Sequence, residues 1–178
     1  MIVWIFPIFR QYNTKMFFFF LILGLSDPLN LFSVSVLQIK PGLIHSVAAL
    51  LLFYSLNFKD KQKLKISYTD ILVVVLFLSA VFIFYNLFYL TLIIHFLILA
   101  RFIQIFVIDL HQISELNIFY LVLVFYEISI VLNLFVLLGE SEKRMFLFFI
   151  TLTFQFLIAI FFTIYREDNP HLRVKLKS

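Results

Sequence analysis

Charged and amide residues fall into clusters along the chain, and between them lie apolar runs of roughly twenty residues, the length a membrane-crossing helix needs. Six runs emerge. The first covers 16–38, behind the polar stretch Arg10–Lys15, and the second covers 41–58, stopped by the Lys-rich stretch Lys59–Lys65. The third and fourth, 70–90 and 91–110, follow one another almost without a polar hinge. Together they are too long for one crossing, so the chain must fold back between Tyr85 and Thr91, with Asn86 as the turn residue. The fifth, 117–138, ends at Gly139–Arg144, where a glycine suits a helix C-terminus, and the sixth covers 145–165. A hydrocarbon core of about 30 Å is crossed by about 20 residues at 1.5 Å of rise each. The runs are apolar on all faces and lack the ten-residue alternation of a membrane barrel. The pattern therefore predicts an all-α fold, a polytopic transmembrane helical bundle of about six spans.

Lys and Arg set the expected orientation. With residues 1–15 as a cytoplasmic N-terminal segment and 166–178 as a basic cytoplasmic tail, the inner side carries Arg10, Lys15, Lys59, Lys61, Lys63, Lys65, Arg166, Arg173, Lys175 and Lys177. The outer side carries only Lys40, Lys143 and Arg144. This bias is that of a protein with both termini cytoplasmic, here in a bacterial inner membrane. Within the first run, Ser26-Asp27-Pro28 resembles a helix cap followed by a first-turn proline. Three readings follow: a kinked single span over 16–38, a half-span with an interfacial helix, or a signal-peptide core ending near Ser26.

Composition agrees with the pattern. Of 178 residues 63% are hydrophobic and 13% charged, mean hydropathy is +1.08, and there are 26 Phe. Fourteen Lys or Arg and ten Asp or Glu cannot cover the surface of a water-soluble domain of this length. The absence of Cys removes disulfides, thiolate metal sites and Cys nucleophiles. The net charge of +4 is a topology signal; the basic stretches suit anionic lipid, not nucleic acid.

A few polar residues have no topological reason. An ionised side chain at the bilayer centre costs roughly 2.5–3.5 kcal/mol on insertion scales, so it needs a partner, water or a function. Asp27, Arg101 and Glu127 fall near mid-depth of their runs, whereas Asp109 can reach the interface. Counted outward from the short 111–116 turn, Arg101 and Glu127 reach similar depth, which predicts an ion pair between them with Asp27 as a third member. Such a group either fixes helix register or serves as a proton or ion relay or a head-group site. His45 and His95 each lie about four residues into a run that starts on the outer face, a possible ligand pair for haem, a metal or a quinone, or simply hydrogen-bonding residues between helices. Thr151, Gln155, Ala159 and Thr163 recur every four residues and share a helix face, a helix-packing seam or a substrate-lining stripe. The acidic pairs Glu140/Glu142 and Glu167/Asp168 read as solvated charge.

No phosphate loop, nucleophile elbow, zinc-protease motif or filter-like glycine run is present. Catalysis by this chain alone, a metal and a cofactor are not expected. The expected role is a small transport-related protein or the membrane subunit of a larger complex. The alternatives are a membrane sensor or anchoring module for a cytoplasmic protein partner, and a haem- or quinone-associated redox subunit. Its surroundings are the lipid bilayer, and the oligomeric state is not set by the sequence.

Overall fold

Backbone within a bilayer finds no water, so each apolar run satisfies its own hydrogen bonds by winding into a helix. The structure, a computed structural model, describes residues 2–56, 68–83, 86–139 and 144–175. The Lys59–Lys65 stretch, Glu140, Glu142, Lys143 and Lys177 lie outside the described residues. A 3-10 turn, Ile2–Trp4, leads into α1 (Ile5–Arg10), followed by α2 (Phe17–Ser35), α3 (Pro41–Ser55), α4 (Tyr68–Ile83), α5 (Leu87–Ile113), α6 (Ile118–Leu138) and α7 (Arg144–Ile164). Two short strands, β1 (Glu115–Asn117) and β2 (Arg173–Lys175), pair antiparallel with Leu116 opposite Val174.

Four helices are long and apolar enough to cross a membrane, over Phe17–Ser35, Leu87–His111, Ile118–Leu138 and Arg144–Ile164. α3 and α4 are apolar but shorter, at 15 and 16 residues. The expectation of about six spans is thus reduced to four of full length, and local chemistry explains the shortening. The Asn86 side chain accepts a hydrogen bond from Phe88 N at 3.0 Å and caps α5. Residues 87–90, counted with the third run, therefore belong to α5, which reaches 27 residues while α4 ends at Ile83. Pro41 occupies the first turn of α3, where its missing N–H costs nothing. Asn117 caps α6 in the same way as Asn86, accepting from Phe119 N at 3.1 Å. α2 is one continuous helix with Pro28 inside it, not two pieces split at Ser26.

The helices form a ring in which α2 packs on α3, α3 on α5, α5 on α6 and α6 on α7, and α1 closes it between α7 and α2. α4 lies outside the ring, against α5. Residues 2–10, the first part of the segment expected to precede the membrane domain, belong to the packed bundle, with Trp4 only 4% exposed. We call the end of the bundle that holds Gln11 and Glu167 the base. Gln11 Nε2 donates to Phe162 O at 3.1 Å and Tyr165 O at 2.8 Å, and its Oε1 accepts from Glu167 N at 3.0 Å. Above this the lower half is filled by Phe19, Phe20, Phe102, Phe119 and Phe162, all fully buried. Their rings meet edge-on or tilted, with Phe20 and Phe162 centroids 4.9 Å apart and Phe119 and Phe162 5.0 Å apart. The outer faces are rich in exposed Leu, Ile, Val and Phe, as lipid contact requires.

The closing of the ring depends on Gly24. A Cβ there would stand 2.6 Å from Ile8 Cδ1 and 2.7 Å from the Trp4 carbonyl oxygen, and the latter is backbone that cannot swing aside. Gly24→Ala should therefore destabilise the bundle by about 1–3 kcal/mol, the usual cost of overpacking. Unfolding of the detergent-solubilised protein measures it, and an unchanged midpoint would contradict the tight packing of the N-terminal segment.

Candidate functional site

Above the phenylalanine-filled lower half the ring is hollow, leaving a partly open cavity of about 370 Å³. Trp4 and Leu52 line it from below, and α2, α3, α5, α6 and α7 all contribute walls. The polar lining is Ser26 and Asp27 from α2, His45 from α3, Thr91 and His95 from α5, Asn133 from α6 and Gln155 from α7. Phe88, Tyr126 and Phe148 add aromatic surface, and the Trp4 and Tyr126 rings stack at a tilt, 4.8 Å between centroids. No Lys or Arg stands among the described residues that line it.

The cavity's most distinctive side is the pair formed by His95 and Glu127. His95 Nδ1 lies 2.6 Å from Glu127 Oε1, and the residues are 8% and 1% exposed. Glu127 thus engages the Nδ1 side of the imidazole, and Nε2 is the ring nitrogen left for other contacts. Close approach of α3 and α5 brings the second histidine to the same cavity. Ser46 and Thr91 hydroxyls meet at 2.8 Å, and a Cβ on Gly42 would come within 3.2 Å of Leu87 Cβ. His45 Nε2 in turn faces Asn30 Nδ2 at 3.2 Å. Two cavity side chains keep a buried polar atom without a hydrogen-bond partner, Asn133 Oδ1 and Gln155 Nε2. Buried polar groups are normally satisfied, which sets these two atoms apart among the cavity's side chains.

The residues singled out from the sequence divide between the two halves of the bundle. Asp27, Glu127, His45, His95 and Gln155 are brought to or beside the cavity. Arg101 is not. Its guanidinium donates to Gln104 on its own helix and lines a separate space nearer the base. The expected Arg101–Glu127 ion pair is thus replaced by His95–Glu127, and the direction Arg101 takes around α5 explains the difference. Asn117 Nδ2 donates to Asp109 Oδ2 at 3.1 Å, so α6 begins beside Asp109 and not beside Ser114. That is within one residue of the level counted from the 111–116 turn, so depth does not separate Arg101 from Glu127. Direction does: Arg101, six residues beyond His95, projects about 120° away from it around α5.

On α7, Ala159 is fully buried and Gln155 is 7% exposed, while Thr151 and Thr163 are partly buried and donate to carbonyls of their own helix. Glu167 is not solvated. It is 7% exposed and accepts from Tyr120 Oη at 2.6 Å and Met16 N at 3.0 Å, whereas Asp168 remains open and pairs with Arg166 at 3.0 Å. Sequence reasoning missed Trp4, Asn30 and Asn133 and the Gly42, Ser46, Ala49 face of α3, although three small residues at helical spacing are a legible packing signal. Among the described residues no group of three or more His, Cys, Asp or Glu is placed to hold a metal.

Fold and site together define a helical bundle with four membrane-length helices around a mainly apolar cavity that carries a few polar side chains. No protein-family model, curated protein or solved structure matches the chain.

A double-mutant cycle checks the pairing. His95→Leu and Glu127→Leu should couple by about 0.5–3 kcal/mol, the range for residues sharing one buried interaction. Arg101→Leu and Glu127→Leu should add to within about 0.5 kcal/mol, as separated sites do. Coupling of Glu127 to Arg101 instead would overturn the register described for α5 and α6.

Proposed function

We propose that this chain is a six-crossing membrane protein, its base on the cytoplasmic side, that takes a small solute into the cavity from the outer side as a transport-related step. The observation that carries the reading is the hollow itself. Its volume of about 370 Å³ falls in the range of roughly 300–1,000 Å³ typical of small-ligand sites. Buried Asn133 and Gln155 atoms without protein partners add the convergent polar groups such sites use. The cations support the sidedness: Lys15, Arg166 and Arg173 belong to the base and Lys40 to the opposite end, in keeping with the positive-inside bias. α3 and α4 complete the six crossings as short helices.

Charge limits the solute. Asp27 and Glu127 are the acidic groups at the cavity, and the titratable groups around them are His45, His95 and Tyr126. With no Lys or Arg among the described lining residues, the space favours a neutral or positively charged solute over an anion. The Trp4, Phe88, Tyr126 and Phe148 faces suit an organic cation in particular.

Two features of the sequence make the test clean. Trp4 is the single Trp, and there is no Cys. Trp4 emission of the purified protein should change saturably with at least one of tetramethylammonium, choline and a neutral sugar, and Glu127→Gln should weaken any response to the two cations. The Thr91→Cys variant should react with a membrane-impermeant thiol reagent added to the outer side of vesicles and not from the inner side. A Trp4 signal indifferent to all three solutes, with the Thr91→Cys variant unreactive from both sides, would defeat the proposal.

A further inference from the structure

A second space lies on the opposite half of the bundle, about 520 Å³ in volume, where Arg101, Gln104 and Asp109 of α5 face Lys15, Ser55 at the end of α3 and Tyr120 at the start of α6. It has the reverse electrical character of the cavity above. Arg101 belongs to a helix long and apolar enough to cross a membrane. Eight residues, or ~12 Å of rise, separate it from Asp109. A guanidinium at such depth needs an anion or a route to the interface. Its bond to Gln104 turns it along α5 toward the base, as a snorkelling side chain does, but Gln104 is neutral. Arg101 Nε is fully buried and has no hydrogen-bond partner. The nearest acid in the same space, Asp109, is occupied by Asn117 Nδ2 at 3.1 Å. Lys15, exposed at the mouth, supplies a second positive charge.

We propose that this pocket holds a phosphate-bearing anion, gripped by the Arg101 fork from above and by Lys15 from the rim. Lys15 and Arg101 against Asp109 leave one net positive charge, which matches the single negative charge of a phosphodiester. The planar guanidinium, with its buried Nε–H free, is suited to two-point binding of phosphate oxygens. Two sources offer that chemistry: the head group of an anionic lipid in the leaflet at the base, and a soluble phosphate.

The full chain, reconstituted in phosphatidylcholine discs with and without phosphatidylglycerol, tests it through the unfolding temperature, since a ligand bound only to the folded state raises that temperature. Phosphatidylglycerol should raise it for the wild type and for Lys40→Gln, which removes a cation at the opposite end. The rise should be lost in Arg101→Gln and reduced in Lys15→Gln. Inorganic phosphate added to the detergent-solubilised protein gives the other arm. A rise there that disappears in Arg101→Gln supports the site and assigns it to a soluble phosphate. Equal rises in wild type, Lys15→Gln and Arg101→Gln would reveal diffuse surface attraction and overturn the site, as would no rise with either anion. Should Arg101→Gln fail to fold, Lys15→Gln and Arg101→Lys carry the test, the latter keeping the charge and losing the fork. An undiminished rise in both would overturn the proposal.

Discussion

A ring of helices closes only as tightly as its narrowest joint allows, and in this bundle that joint is the passage of residues 2–10 between α2 and α7. Gly24 lets the Trp4 carbonyl and Ile8 rest against the α2 backbone, and the Gln11 amide then fastens the segment to the last turn of α7. Both are consequences of residues with little or no hydrophobic content. The same contacts set Trp4 beneath the cavity, so the boundary between solid and hollow halves is decided by a glycine and one amide.

The two halves solve the polar-group problem in opposite ways. Near the base, the rings of Phe20, Phe119 and Phe162 fill the axis, and polar groups lie at its edge, where Glu167 is shared between Tyr120 and Met16. Toward the other end the axis is open, and groups that would be expensive in hydrocarbon face one another or the hollow. Glu127 is the clearest case, since His95 gives it a bond that is short and fully enclosed. Opposite charge character in the two halves follows: Asp27 and Glu127 above, Arg101 and Lys15 below.

Much of this is legible in the sequence, and what is not has identifiable causes. The helical membrane class follows from uninterrupted apolar runs, and the fold-back at Asn86 from a lone amide with capping ability. Glu127 stands out as a residue that needs a partner, yet its partner is not readable. Counting residues from a turn gives depth along a helix but not the direction a side chain takes around it, and Arg101 turns to Gln104 on its own helix. Glu167 reads as solvated because its neighbours in sequence are polar, but burial is decided by Gln11–Met16 returning over it. The N-terminal segment is misjudged for a related reason: Arg10–Lys15 looks like the start of a loop, and nothing local reveals that Trp4 is received by Gly24, twenty positions on.

The pairing of β1 with β2 carries a further meaning. β1 leads directly into α6, the helix that carries Glu127, and it is paired with Arg173–Lys175. The foot of the helix that bears the buried acid is therefore tied down by a strand outside the apolar helices, at a part of the molecule that touches neither Glu127 nor His95. Anything that binds or peels away that strand would reach the cavity only through α6 itself.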